Sequence, residues 1–231
     1  MRKIGLIGGM SWLSTRTYYD HINKLVQARA GQRHSAPLLI ESLDFAGLSR
    51  LSSAEEWAGA AEVLSASARR LEAAGATALL IGANSMHKVY DQVAARVGVP
   101  IIHIAECVAA RMAADGVKKA ALIGTRNVMT ESFYRQKLIA RDIELLPPEM
   151  AFVDTLDRII YDELLIGRVT RPAERELKTI LTNLAQDGAE AVVLGCTELE
   201  MTVDAKANVV PIFDCTQIHA QAAVDWILGE A

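Results

Sequence analysis

Residues 71–83 read LEAAGATALLIGA, and residues 184–196 read LAQDGAEAVVLGC. Leucine, glycine, two alanines and a second glycine recur in the same places, at an offset of 113 residues from Ala83 to Cys196. Each segment reads as a helix end, a Gly-Ala turn, and a strand closing on glycine and one further small residue. The likeness extends outward. Lys3-Ile-Gly-Leu-Ile-Gly8 returns as Lys119-Ala-Ala-Leu-Ile-Gly124, Tyr18-Tyr19 as Phe133-Tyr134, and Val99-Pro-Ile101 as Val210-Pro-Ile212. Offsets stay between 111 and 116 across the four ordered blocks. That regularity indicates duplication, and a duplicated chain folds as two similar lobes.

Short apolar runs alternate with helical patterns throughout. Strands are predicted at 4–7, 38–43, 78–81, 101–104, 120–123, 191–194 and 209–213. Helices are predicted at 14–30, 53–74, 89–97, 105–114, 129–139, 155–166, 173–187 and 216–228. Continuous apolar strands between amphipathic helices imply an α/β fold with buried parallel sheets. Ligands of such sheets sit beyond the carboxyl ends of the strands. Four loops start there, at Gly8-Gly-Met-Ser, Gly82-Ala-Asn-Ser, Gly124-Thr-Arg-Asn and Gly195-Cys-Thr-Glu. Two facing lobes would gather them around one cleft, able to approach a single atom from opposite sides.

Composition narrows the function classes. The 231 residues are 51% hydrophobic and 23% charged, enough for a packed core and against global disorder. Aromatics are only 5% and the net charge is -4, so neither a stacking platform nor a basic stripe for nucleic acid is expected. No apolar run approaches the roughly 18 residues of a membrane helix, and no signal-peptide pattern is visible near the N-terminus. Three well-separated cysteines, Cys107, Cys196 and Cys215, do not form a disulfide framework, so a cytoplasmic protein is expected.

The sharpest motif is Gly195-Cys196-Thr197-Glu198. Thr197-x-x-Glu200 has the form of a capping box, which places Cys196 beside a helix N-terminus and predicts a lowered thiol pKa. The plain alternative is a small buried cysteine. Asn84 and Ser85, in the matching loop, offer an amide and a hydroxyl near turn N–H groups that can hold an anion, or simply form an N-cap turn. His87 reads as an exposed first-turn residue or as a charge partner behind the site. Gly5-x-x-Gly8-Gly9-Met10-Ser11 lacks the spacing of a dinucleotide fingerprint, and no Gly-Lys-Ser/Thr follows. No G-x-S-x-G elbow is present. His103-x-x-Glu106-Cys107 and Asp214-Cys215-x₃-His219 carry metal-capable atoms without zinc spacing, so packing is the expected role and no metal is predicted.

Taken together, Ile4-Gly-Leu-Ile-Gly-Gly-Met-Ser-Trp12, His34-Ser35-Ala36, Asn84-Ser-Met-His-Lys88, Gly124-Thr-Arg126, Phe133-Tyr134-Arg135, Gly195-Cys-Thr-Glu198 and Pro211-x-Phe-Asp214 resemble the aspartate/glutamate racemase family. Within it they resemble the cofactor-independent aspartate (or aspartate/glutamate) racemase branch, over essentially the whole chain. The resemblance implies two flavodoxin-like parallel-sheet lobes related by a pseudo-two-fold, with the active site in the cleft between them. It assigns 1–104 and 210–231 to the first lobe and 105–209 to the second. It also implies a homodimer and an isomerase that uses neither metal nor pyridoxal phosphate, with two acid/base residues facing the α-carbon.

One of those two residues corresponds to Cys196. The other, a cysteine or threonine in the family, corresponds to Ala83, whose methyl group can neither give nor take a proton. Three explanations stay open. Ala83 is an introduced substitution that disables one base; or a natural one-cysteine branch uses a water, Ser85 or His87 on that face; or the reaction differs, as in arylmalonate decarboxylase-like proteins with a single cysteine. The expected ligand is a small amino-acid dicarboxylate, aspartate or glutamate, with its α-carboxylate on Asn84, Ser85 and Thr197. Met10 and Thr125 would line the cleft, and Glu198 would orient the ammonium group. The segment matching 162–167 carries Leu165 and Ile166 where some members hold the distal carboxylate with a basic residue; Arg50 or the loop 48–53 could substitute. The other readings are a decarboxylase or cis–trans isomerase of a malonate- or maleate-like acid, and a non-catalytic amino-acid-binding protein.

Overall fold

The computed structural model describes residues 1–203 and 208–230. The chain divides into two units, 1–104 with 219–231, and 105–218.

In the first unit, β1 (Ile4–Gly8), β2 (Leu38–Ser42), β3 (Ala78–Ile81) and β4 (Ile101–Ile102) form a parallel sheet in the order β2-β1-β3-β4. Strands β1 and β3 are buried on both faces, which is why they read as unbroken apolar runs. Alternate residues serve opposite layers. Ile7, Leu79 and Ile81 pack toward α2 (Ala54–Ala73) and α3 (Tyr90–Ala94). Ile4, Leu6, Ala78 and Leu80 pack toward α1 (Trp12–Ala30) and the far part of the C-terminal helix. Helix α2 starts where Ser53 and Glu56 form a reciprocal capping box.

The second unit repeats the plan. Helix α4 (Ile104–Ala114) leads into β5 (Lys119–Gly124), α5 (Arg126–Thr130), α6 (Ser132–Ile139) and β6 (Glu144–Leu145). Then come α7 (Met150–Asp162), α8 (Arg171–Gln186), β7 (Ala191–Gly195) and β8 (Ile212–Asp214). The sheet order is β6-β5-β7-β8, again parallel, so β5 takes the place of β1 and β7 that of β3. Ala121, Ile123, Val192 and Leu194 pack on the inner faces of α7 and α8.

The C-terminal boundary differs from expectation. The first unit was expected to resume at residue 210, but β8 pairs with β7 (Val192↔Ile212, Val193↔Phe213, Leu194↔Asp214) and belongs to the second sheet. The change of unit falls inside α9 (Cys215–Leu228), between Ile218 and His219. Ladder hydrogen bonds, absent from a purely apolar reading of the strand, set that boundary.

His219 anchors the far part of α9. Its Nε2 lies 2.9 Å from the Ile102 carbonyl oxygen and its Nδ1 2.7 Å from the Tyr18 hydroxyl. A carbonyl only accepts, so Nε2 carries the proton and Nδ1 accepts from Tyr18. Burial pushes His219 down to about 3 from its ordinary 6.5. The unfolded chain therefore takes up a proton below pH 6.5 that the native state refuses until about pH 3. Stability falls across that window by roughly 1.4 kcal/mol per pH unit. Asp214, pushed up to about 6 by burial and then by Glu200, works in the opposite sense, its contribution being lost as pH rises through that value. We expect the melting temperature of His219→Gln to fall less steeply than wild type between pH 6 and 4; parallel curves would refute the assignment.

Candidate active site

In the second unit, Gly124 and Gly195 are register partners at the ends of β5 and β7. A Cβ on Gly124 would lie 2.7 Å from the Gly195 carbonyl oxygen, so these strand ends approach too closely for a side chain. The next residues, Thr125 and Cys196, thus leave neighbouring strands together. Cys196 keeps an extended conformation (φ -144°, ψ 129°), and a short 3₁₀ turn follows over Thr197–Met201. Where the turn begins, the Cys196 thiol donates to Glu198 Oε2 at 3.2 Å, and the Thr197 hydroxyl donates to the same oxygen at 2.7 Å. All three side chains are buried. Thr125 Oγ1 is also buried and has no hydrogen-bond partner among the described residues. An unanswered buried hydroxyl costs about 1–3 kcal/mol, which a polar ligand would recover.

Two electrostatic expectations are corrected. Thr197 does not open a capping box: Cys196 holds the N-cap position without a side-chain cap, and the Thr197 proton goes to Glu198. Nor is the thiol pKa lowered. Burial first, and the Glu198 charge second, push Cys196 well above its ordinary value, so the thiol rests protonated. A single 3₁₀ turn supplies little dipole, and a carboxylate at hydrogen-bond distance opposes a thiolate.

In the first unit, the equivalent strand ends are Gly8 and Gly82, where Gly82 donates its N–H to the Ile7 carbonyl at 2.9 Å. Gly9 has φ 85°, and a Cβ there would stand 2.1 Å from the Leu43 carbonyl oxygen, so only glycine fits. Its N–H donates to the Thr15 hydroxyl at 2.7 Å, which in turn donates to the Ser11 carbonyl at 3.1 Å, bracing the loop. Met10 and Ala83 share one buried apolar cluster with Met86. Asn84 is buried and sits at the N-cap position of the 3₁₀ turn Ser85–Val89, but its side chain does not cap it; Ser85 is half-buried.

Met10, Ala83, Asn84 and Ser85 thus lie at strand ends of the first unit, and Thr125, Cys196, Thr197 and Glu198 at those of the second. Sequence reasoning gave Glu198 to a ligand ammonium and missed its contact with Cys196; the Cys-x-Glu spacing where a strand passes into a turn is the signal for it. His87 was expected to be exposed or a charge partner. It is buried, with both ring nitrogens bonded to main chain. Among the described residues, no group of three or more His, Cys, Asp or Glu side chains is placed to hold a metal ion.

The family model described as Asp/Glu/hydantoin racemase matches residues 7–223. A candidate Asp/Glu racemase from Yersinia pestis superposes with a TM-score of 0.89 at 39% identity, over 99% of this chain and 100% of that one. An aspartate racemase homologue from Pyrococcus horikoshii OT3, PH1733, gives 0.85 at 32% identity, over 99% and 100% of the two chains. Aspartate racemase from Picrophilus torridus shares the fold, with a TM-score of 0.79 at 18% identity over 98% and 94%.

Proposed function

Because the chain belongs to the Asp/Glu/hydantoin racemase family, whose members are isomerases, we propose that it acts on aspartate or glutamate by moving the α-proton through Cys196, with no cofactor. The observation that carries this reading is the buried chain from the Cys196 thiol to Glu198, steadied by Thr197. It gives one titratable sulfur a proton acceptor already in contact.

The thiol rests protonated, so it can take the α-proton only once it has become thiolate, and as a thiol it then returns a proton to the carbanion. To act as base it must pass its proton to Glu198, which the 3.2 Å contact permits. A substrate α-ammonium near the sulfur would favour the thiolate and offset burial and the Glu198 charge. Glu198 therefore serves as the proton partner of Cys196 in addition to any contact with the ammonium. The α-carboxylate would take donors from the Asn84 amide, the Ser85 hydroxyl and main-chain N–H groups, which also stabilise the enediolate as charge grows. The Thr197 hydroxyl is committed to Glu198, so its part is played by its main chain. The buried Thr125 hydroxyl is a further donor, and Met10 an apolar wall. A homodimer working in the cytoplasm completes the proposal; no helix among the described residues is long and apolar enough to cross a membrane.

Ala83 occupies after β3 the place that Cys196 has after β7, and it brings no proton. Two-base racemisation is accordingly impaired. That favours one second reading, a single-cysteine decarboxylase or cis–trans isomerase of a malonate- or maleate-like acid. A substrate panel separates the two. We expect α-hydrogen exchange with aspartate or glutamate, without CO₂ release from substituted malonates or isomerisation of maleate. CO₂ release or isomerisation without any α-amino requirement would overturn the racemase reading.

A further inference from the structure

His87 lies in the 3₁₀ turn that follows β3, four residues after Ala83. Its Nε2 is 3.2 Å from the Ile104 amide nitrogen, and its Nδ1 is 3.0 Å from the Ala83 carbonyl oxygen. A backbone amide can only donate, so Nε2 accepts and the ring proton is on Nδ1. That proton is donated to Ala83. The imidazole is thus neutral, with both nitrogens spent on main chain, and it is not the missing acid/base of the Ala83 face. The ring is held by its neighbours: the His103 ring centroid is 4.7 Å away, Tyr90 stacks at 6.2 Å and His219 meets its edge at 6.0 Å.

The Ala83 carbonyl and the Asn84 N–H share one planar trans peptide and point in opposite directions. Gripping the carbonyl therefore aims the Asn84 N–H away from His87. We propose that His87 is a positioning residue: through its Nδ1–H tautomer it fixes the Ala83–Asn84 peptide against the start of α4, and so orients the Asn84 N–H as a donor for the ligand carboxylate. The carboxylate part of this inference rests on the function proposed above; the orientation of the peptide does not.

Two substitutions separate the two halves of the clamp. In His87→Asn the side-chain amide N–H stands near the Nδ1 position and can still reach Ala83, while Ile104 loses its acceptor. In His87→Gln the amide oxygen stands near the Nε2 position and can still receive Ile104, while Ala83 loses its donor. We expect the Asn84 amide resonance to stay near its wild-type position in His87→Asn and to move in His87→Gln. The apparent affinity for aspartate or glutamate should fall less than threefold in the first and on the order of 100-fold in the second. The pH profile of the remaining exchange should keep its shape in both, because His87 does not titrate in the reaction. In the wild-type protein, ¹⁵N spectra of the ring should report a neutral imidazole protonated on Nδ1, a readout that needs no variant to fold. An Nε2–H tautomer, equal movement of Asn84 in the two variants, or loss of one limb of the pH profile would overturn the proposal. If no amino acid is turned over by any form while the tautomer and the Asn84 shifts behave as expected, the proposed function fails and the peptide clamp stands.

Discussion

Cys196→Ala is expected to lose α-hydrogen exchange by a factor on the order of 10²–10⁴, the usual contribution of one acid/base group, and to keep its fold. The thiol rests neutral, so its removal leaves no unpaired buried charge. Glu198 keeps its 2.7 Å hydrogen bond from Thr197. What is lost is a small buried sulfur and one weak hydrogen bond, about 1 kcal/mol of stability. Exchange kinetics by NMR in D₂O and a thermal melt measure the two effects on one sample. Exchange persisting within a few-fold of wild type would remove Cys196 from the chemistry. Loss of exchange together with unfolding would contradict the expectation that its role is chemical.

The second large effect runs the other way. Ala83→Cys restores a thiol at the position equivalent to Cys196, and racemisation of aspartate or glutamate should rise by an amount on the order of 10²–10⁴. The methyl group of Ala83 is buried beside Met10 and Met86, so the added sulfur must be accommodated. Methionine yields readily to a neighbour's growth, and the expected destabilisation is no more than about 1–3 kcal/mol. Circular dichroism of the amino acid follows the reaction directly. If the variant folds, binds the amino acid and still fails to invert it, position 83 is not the second acid/base position.

The duplication in the sequence was enough to predict two equivalent parallel sheets, and both sheets have one strand order. Residues buried on both faces made β1, β3, β5 and β7 legible as apolar runs. The edge strand β6 was not legible: it is two residues, Glu144 and Leu145, of which only the second is buried, so it has no run to detect. The membership of β8 was equally hidden, because Val210-Pro-Ile212 reads alike whichever sheet receives its hydrogen bonds. At the site, the residues at strand ends could be named from the Gly-plus-small pattern, but their electrostatics could not. Whether Cys196 meets a helix dipole or a carboxylate depends on a turn of five residues being 3₁₀ and on where Glu198 points. His87 was ambiguous for the same reason: its burial and one of its two main-chain partners, Ile104, come from a segment seventeen residues further along the chain.

The claim on which this reading depends is that one sulfur, with nothing equivalent at position 83, handles the α-proton. Wild-type protein incubated in D₂O with each pure enantiomer of aspartate and glutamate, followed by NMR, tests it most directly. The expected result is deuterium at the α-carbon of one enantiomer, with little inversion and almost no exchange of the other. Comparable exchange of both enantiomers would show a second acid/base opposite Cys196, and exchange of neither would show that Cys196 performs no such chemistry on these acids.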